Sequence, residues 1–155
     1  MTQRHRHDVC LLCATEDAED SSVVFRDELW AAEVLPGYEV PGWIILRARR
    51  HAERITGLSD EELDSFGRRA RDLVAAVSEV MDAPSTYLLV FGENYPHFHV
   101  LVAPRGEHVP ADRRAGDILK LRLESADPHA AHALVPALRS ALARALPQDA
   151  AAEAG

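Results

Sequence analysis

A chain of 155 residues with 47% apolar and 27% charged residues is sized for one globular domain with a hydrophobic core, and is too short for two. Its formal charge of −8 argues against a protein whose main partner is nucleic acid, although Arg47, Arg49, Arg50, Arg54 and Arg105 can supply a local basic pocket for phosphate. No apolar run approaches the roughly eighteen residues a membrane span needs, and no signal peptide opens the chain, so a cytoplasmic protein without a membrane partner is expected.

Residues 1–9, with His5 and His7 among arginines, read as a flexible N-terminus. The two cysteines follow at once in Cys10-Leu11-Leu12-Cys13. In a cytosolic chain this spacing means metal binding or redox chemistry rather than a disulfide framework. A thioredoxin-like pair would sit between a strand and a helix inside a βαβ unit, whereas this pair precedes an acidic loop near the start, so metal is the better reading.

Val23–Arg26 and Leu29–Leu35 read as a hairpin joined around Asp27-Glu28, and Pro36-Gly37 and Pro41-Gly42 punctuate the loop after it. Trp43 to Leu46 is a buried strand that ends in the basic cluster Arg47 to Arg50, with His51 just beyond. Ser59-Asp60-Glu61-Glu62 is a capping box. Leu63, Phe66, Ala70, Leu73, Val74, Val77, Val80 and Met81 then recur at helical spacing, which predicts a long amphipathic helix over 59–82, stopped by Ala83-Pro84. Its apolar stripe is core.

Thr86–Gly92 is the next strand. After a short turn comes Asn94-Tyr95-Pro96-His97-Phe98-His99-Val100-Leu101-Val102-Ala103-Pro104-Arg105. Strand alternation puts His97, His99 and Leu101 on one face and Phe98, Val100 and Val102 on the other, with the two imidazoles about 7 Å apart. Taken alone, this strand fits either a small polar site or two histidines at a half-exposed edge. Pro110–Ser125 is expected to be a helix carrying Ile118, Leu119, Leu121 and Leu123. Asp127-Pro128 should start a last helix that reaches about Leu146 and is kinked or split at Pro136. His129 and His132 on it read as surface residues, and 147–155 as a flexible tail. The pattern as a whole is α+β, an antiparallel sheet of about five strands with one long helix and C-terminal helices, in a single domain over 10–146.

Structural zinc takes four protein ligands, usually cysteine and histidine. Cys10 and Cys13 supply two sulfurs at a spacing one turn can wrap. His51 ends one strand and His97 opens another, so the four groups converge if those strands are neighbours.

With these pieces the chain resembles the histidine triad family, in particular its zinc-containing bacterial branch, from Cys10 to about Arg144. The resemblance rests on Cys10-x-x-Cys13, Pro41-Gly42 leading into a buried strand, Arg50-His51 after that strand, the helix start Leu58 to Leu63, and Pro96-His97-Phe98-His99 followed by Pro104-Arg105. It implies a histidine-triad-like fold and a structural Zn2+ held by Cys10, Cys13, His51 and His97. Strand periodicity alone leaves open a ligand set with His99 in place of His51. It implies His99 as the catalytic nucleophile, its neutral imidazole attacking the α-phosphorus of a nucleotide ester, anhydride or phosphoramidate to form a nucleotidyl-histidine. Asn94, Leu101 and Arg105 are the substrate-binding candidates, with an arginine near residue 50 as a further phosphate partner, and a homodimer is implied.

The sequence also departs from that family. The third histidine falls on Leu101, and losing one donor to developing charge costs on the order of 10²–10³ in rate. The Gly-rich loop shrinks to Gly92-Glu93-Asn94-Tyr95. The acidic residue that holds the ribose falls at Leu35, with Glu33 nearby, and Pro-Gly-His becomes Pro41-Gly42-Trp43. The expected function is therefore nucleotide hydrolysis or nucleotidyl transfer on a small-molecule substrate. Two alternatives stand beside it. One is a zinc-stabilised domain that binds a nucleotide or partner without cleaving it. The other is a pocket turned to a non-nucleotide reaction, with Leu101 and Trp43 lining an apolar cavity and Tyr95, Glu93 or His99 as acid or base.

Overall fold

The computed structural model describes residues 10–153, with side chains described through residue 145; the expected flexible stretch 1–9 lies outside the described residues. Five strands form one antiparallel sheet: β1 (Val23–Arg26), β2 (Trp30–Glu33), β3 (Ile44–Ala48), β4 (Ser85–Leu89) and β5 (His99–Arg105), in the order β1-β2-β3-β5-β4. The expected hairpin forms as β1 and β2. The Asp27 carboxylate accepts the backbone N–H groups of Leu29 and Trp30, both at 2.7 Å, and so fixes the turn. β2 is shorter than expected and stops at Glu33. The pairing Arg47↔His99 and Leu46↔Val100 brings the end of β3 beside the start of β5, the neighbourhood a shared metal site requires.

The helices are α1 (Leu11–Ala14), α2 (Asp60–Met81), α3 (Leu121–Glu124), α4 (Pro128–Ala133) and α5 (Val135–Glu153). The capping box is complete: the Glu62 N–H donates to Ser59 Oγ at 3.2 Å, and the Ser59 N–H donates to Glu62 Oε1 at 2.7 Å. α2 ends where Asp82 turns left-handed, at φ 48°, just before Ala83-Pro84. Its stripe of Ala70, Leu73, Ala76 and Val77 packs with α5 residues Val135 and Leu138 on the sheet face that carries Trp30, Leu46, Phe98, Val100 and Val102. Trp30, Phe66 and Phe98 meet there with ring centroids 5.4–6.1 Å apart, and burying each ring contributes roughly 1.5–3 kcal/mol.

The opposite face, with Leu35, Ile45, Leu101 and Ala103, packs a smaller core with Leu12, Val40, Trp43 and Ile118. Two predicted helices change here. The single helix expected over Pro110–Ser125 is broken into 3-10 turns at Ala111–Arg113 and Ala115–Lys120 followed by the short α3. Ala115 adopts φ 53°, its N–H donating to the Tyr87 hydroxyl at 3.1 Å, which interrupts any continuous helix. The apolar residues do not share a face either: Ile118 is fully buried whereas Leu123 is 89% exposed. The last helix does split, at Leu134, just before Pro136, so that Pro136 falls in the first turn of α5 where its missing N–H costs little. The α5 backbone then continues past Leu146 to Glu153. No helix among the described residues is long and apolar enough to cross a membrane.

The N-terminal segment is held on this second face by charge as well as by Leu12. Arg47, fully buried on β3, pairs with the buried Glu33 and with Glu16 at 2.9 Å, and Arg49 reaches the other Glu16 oxygen at 3.0 Å. Burial by itself would raise the Glu16 carboxyl, but hydrogen bonds and charge from Arg49 and Arg47 outweigh it and hold its pKa down to about 2. A carboxylate depressed in this way contributes stability that is fully present above its unfolded pKa, near 4.5, and is lost as pH falls through about 2. We therefore expect Glu16→Gln to lose about 2–3 kcal/mol at pH 7, with the gap to wild type closing between pH 4.5 and 2. Urea unfolding across that range checks it, and a pH-independent gap contradicts the assignment.

Candidate metal centre and adjoining pocket

Cys10 caps α1, and its sulfur accepts the Cys13 N–H at 3.4 Å, so the short helical turn points both sulfurs the same way. The turn is anchored by the fully buried Leu12 and by Thr15, whose hydroxyl donates to the Leu12 carbonyl at 2.6 Å. His51 follows β3 and His97 precedes β5. The donor atoms of Cys10, Cys13, His51 and His97 all lie within 4.8 Å of one another. Cys13 Sγ is 3.2 Å from His51 Nδ1 and 3.5 Å from His97 Nδ1, and Cys10 Sγ is 3.5 Å from His97 Nδ1. A sulfur and a nitrogen on the same tetrahedral zinc, bonded at about 2.3 and 2.0 Å, lie about 3.5 Å apart. The donor set and its spacing fit zinc.

The proton inventory agrees. His97 is completely buried and its Nε2–H donates to the Ala48 carbonyl at 2.6 Å, which leaves Nδ1 bare toward the sulfurs. Burial pushes the His97 pKa down to about 4, outweighing the Ala48 hydrogen bond, so the ring is neutral as a ligand must be. The Glu53 carboxylate sits 3.7 Å from His51 Nε2 on the side away from the sulfurs. Of the two ligand sets left open by strand periodicity, the geometry assembles the one with His51.

His99 lies outside this group. The chain bends at His97 and the strand begins only at His99, so the two imidazoles do not form one polar site as strict alternation suggests. His99 is half-buried and its Nδ1–H donates to the His97 carbonyl at 2.6 Å, which in the neutral tautomer leaves the lone pair on Nε2. It faces a cavity of about 340 Å³, within the range of small-molecule sites. Leu35, Ile45, Leu89 and Leu101 give it an apolar floor, and Asn94, Glu93 and Tyr95 line it from the loop before β5. A smaller cavity of about 200 Å³ touches Cys10, His51, Asn94 and Tyr95, so that loop separates the metal donors from the His99 pocket.

Several candidates stand elsewhere. Arg105 closes β5 six residues beyond His99, about 20 Å away along the strand, opposite Ser85, and does not line the pocket. Arg47 and Arg49 are taken up by Glu16 and Glu33, and Arg50 by Glu62 at 2.6 Å, so these arginines at and beyond the end of β3 support structure rather than the cavity. Glu33 is likewise buried against Arg47, and the ribose position is left with Leu35. Trp43 is buried in the second core and does not line the cavity. Conversely, Tyr38, Leu119 and Arg122 line it although nothing in the local sequence marks them. Arg122 arrives from α3, a segment whose path over the sheet no periodicity reveals.

No protein-family model matches the sequence, and no curated protein matches it. The fold, however, is shared with solved histidine triad proteins. A hypothetical histidine triad nucleotide-binding protein from Sulfolobus tokodaii superimposes with a TM-score of 0.69 at 20% identity, covering 87% of this chain and 93% of that one. A zinc-bound histidine triad family protein from Mycobacterium smegmatis gives 0.66 at 18% identity, covering 90% and 97%. A diadenosine triphosphate hydrolase from Plasmodium falciparum gives 0.62 at 11% identity, covering 81% and 79%. The chain has the histidine-triad-like α+β fold expected from its motifs. We expect purified protein to carry about one zinc per chain by elemental analysis. Cys13→Ser should lower that content and the Tm by about 5 °C or more. Wild-type protein free of zinc after purification and zinc titration would remove the assignment.

Proposed function

We propose that this chain transfers or hydrolyses a nucleotidyl group, with His99 as the nucleophile. The observation that carries the reading is the hydrogen bond from His99 Nδ1–H to the His97 carbonyl, which in the neutral ring puts the lone pair on Nε2, with His99 in the pocket wall. That nitrogen would attack the α-phosphorus of a nucleotide ester, anhydride or phosphoramidate. A P–N bond to His99 forms, the P–O or P–N bond to the leaving group breaks with its electron pair, and the leaving group takes a proton from water. Water or another acceptor then attacks the nucleotidyl-histidine, restoring the neutral imidazole. The fold shared with a nucleotide-binding protein and a diadenosine triphosphate hydrolase supports the substrate class.

In this reading zinc is structural. All four positions would be filled by Cys10, Cys13, His51 and His97, and its contribution is to tie the first turn of the chain to the ends of β3 and β5. The polypeptide does the rest. His97 orients His99 through its carbonyl, Asn94 and Tyr95 line the entry, and the apolar floor excludes water. Leu101 brings no donor to the developing charge, so turnover should be slow. The same leucine favours a second reading in which the pocket binds a nucleotide without cleaving it.

The two are separated by incubating protein with an adenosine 5′-phosphoramidate and a dinucleoside polyphosphate. Turnover with trapped nucleotidyl-His99, abolished in His99→Ala, supports the enzyme. Saturable binding without turnover, with His99→Ala binding as wild type does, supports the binding module and ends the catalytic reading.

We further propose a homodimer paired through β4, the outer strand of the sheet beside β5. Leu88, Val90 and Phe91 on and after that strand are 47%, 52% and 65% exposed. Light scattering on a sizing column should report twice the 17.1 kDa chain mass, shifted toward monomer by Leu88→Lys with Phe91→Lys. A monomer at tens of micromolar excludes the dimer.

A further inference from the structure

The His99 pocket has a second polar end. From His99 the wall runs through Tyr95, whose ring centroid is 6.4 Å away, to Tyr38, a further 6.2 Å on, both in edge-to-face contact. The Arg122 guanidinium then lies 4.0 Å over the Tyr38 ring. Its Nε–H donates to the Gly37 carbonyl at 2.8 Å, so stacking and one hydrogen bond hold the plane of the fork in the cavity wall.

What distinguishes Arg122 is its place: a guanidinium with no carboxylate partner among the described residues that lines the His99 cavity. The chain has 25 acidic residues against 17 basic ones, and Arg47, Arg49, Arg50 and Arg113 each hold a carboxylate. Among the described residues, no carboxylate pairs with Arg122, and it is the only cationic side chain lining the cavity. Glu93, the one carboxylate in the lining, makes no ion pair with it. A guanidinium pre-oriented on an aromatic face, half-buried and without a counter-ion, strongly prefers an anionic acceptor to a neutral one.

We infer that Arg122 anchors a second anionic group of the substrate, a carboxylate or a phosphate, at the end of the pocket away from the reacting phosphorus. The inference rests on the reading of His99 as the reacting end. The substrate class is then a phosphate ester, anhydride or phosphoramidate with a flat apolar body that lies along Tyr95 and Tyr38 and carries negative charge at its far end. Leu35, Ile45 and Leu101 suit such a body. Arg122 sets which compound binds and how far it enters; it is a specificity residue and takes no part in bond making.

Two ligand pairs test this, one nucleotide and one not. The first is N6-(1,2-dicarboxyethyl)-AMP against N6-butyl-AMP; the second is 4′-carboxybiphenyl-4-yl phosphate against its carboxamide. Titration calorimetry on the full chain is expected to show the anionic member of at least one pair binding tenfold or more tightly. Arg122→Gln should erase that preference while the neutral member binds as before, and Arg122→Lys should keep part of it. The pair that responds tells whether the body is a nucleoside or a simple aryl group. Equal affinities within both pairs, no saturable binding by any of the four, or a preference that survives Arg122→Gln overturns the inference. Binding is read without turnover, so the two claims fail separately. An intact preference with no labelled His99 leaves the anchor and removes the chemistry. Labelled His99 with no charge preference does the reverse.

Discussion

Everything at the site depends on His97. Its ring stands among the two cysteine sulfurs and His51, held by the Nε2–H bond to the Ala48 carbonyl, and its own carbonyl receives the Nδ1–H of His99. One residue thus faces the metal donors with its side chain and the pocket with its backbone. A shift of this residue would change the tautomer and direction of His99 together, because a neutral imidazole offers its lone pair only on the nitrogen that is not donating. Complete burial of the His97 ring keeps its bond to Ala48 dry, where it counts for more than it would in water.

The N-terminal turn is built to hold that arrangement from the outside. Four residues of helix have no stability of their own. They are kept in place by Leu12 in the smaller core, by the Glu16 bridge to Arg47 and Arg49, and by the sulfurs directed at the histidines. The arginines at and beyond the end of β3 look like a phosphate cradle in the linear chain. In the folded chain they are spent on this attachment and on the capping box of α2, which Arg50 joins through Glu62.

The pocket combines one oriented imidazole with surroundings poor in positive charge. Leu35 and Leu101 make its floor apolar, and the single guanidinium comes from a different part of the chain. The scaffold matches histidine triad structures over most of its length, whereas the pocket lining is this chain's own.

Local rules carried the linear reading a long way. The capping box and stripe marked α2 to within a residue at each end, because both signals act within one or two turns. Asp27 fixed the first hairpin by bonding its own neighbours, and the short spacing of Cys10 and Cys13 marked two of the four donors that the fold brings together. Tertiary structure decided the rest. Whether His51 or His99 joins the cysteines turned on the bend at His97 and the pairing of β3 with β5, contacts between residues far apart in the chain. The breaks in the 110–125 segment came from Tyr87 capturing the Ala115 N–H, and Arg122 reached the pocket only because that segment folds back over the sheet. Periodicity reports which way a side chain points along its own element. It carries no information about which distant carbonyl or ring will be waiting there.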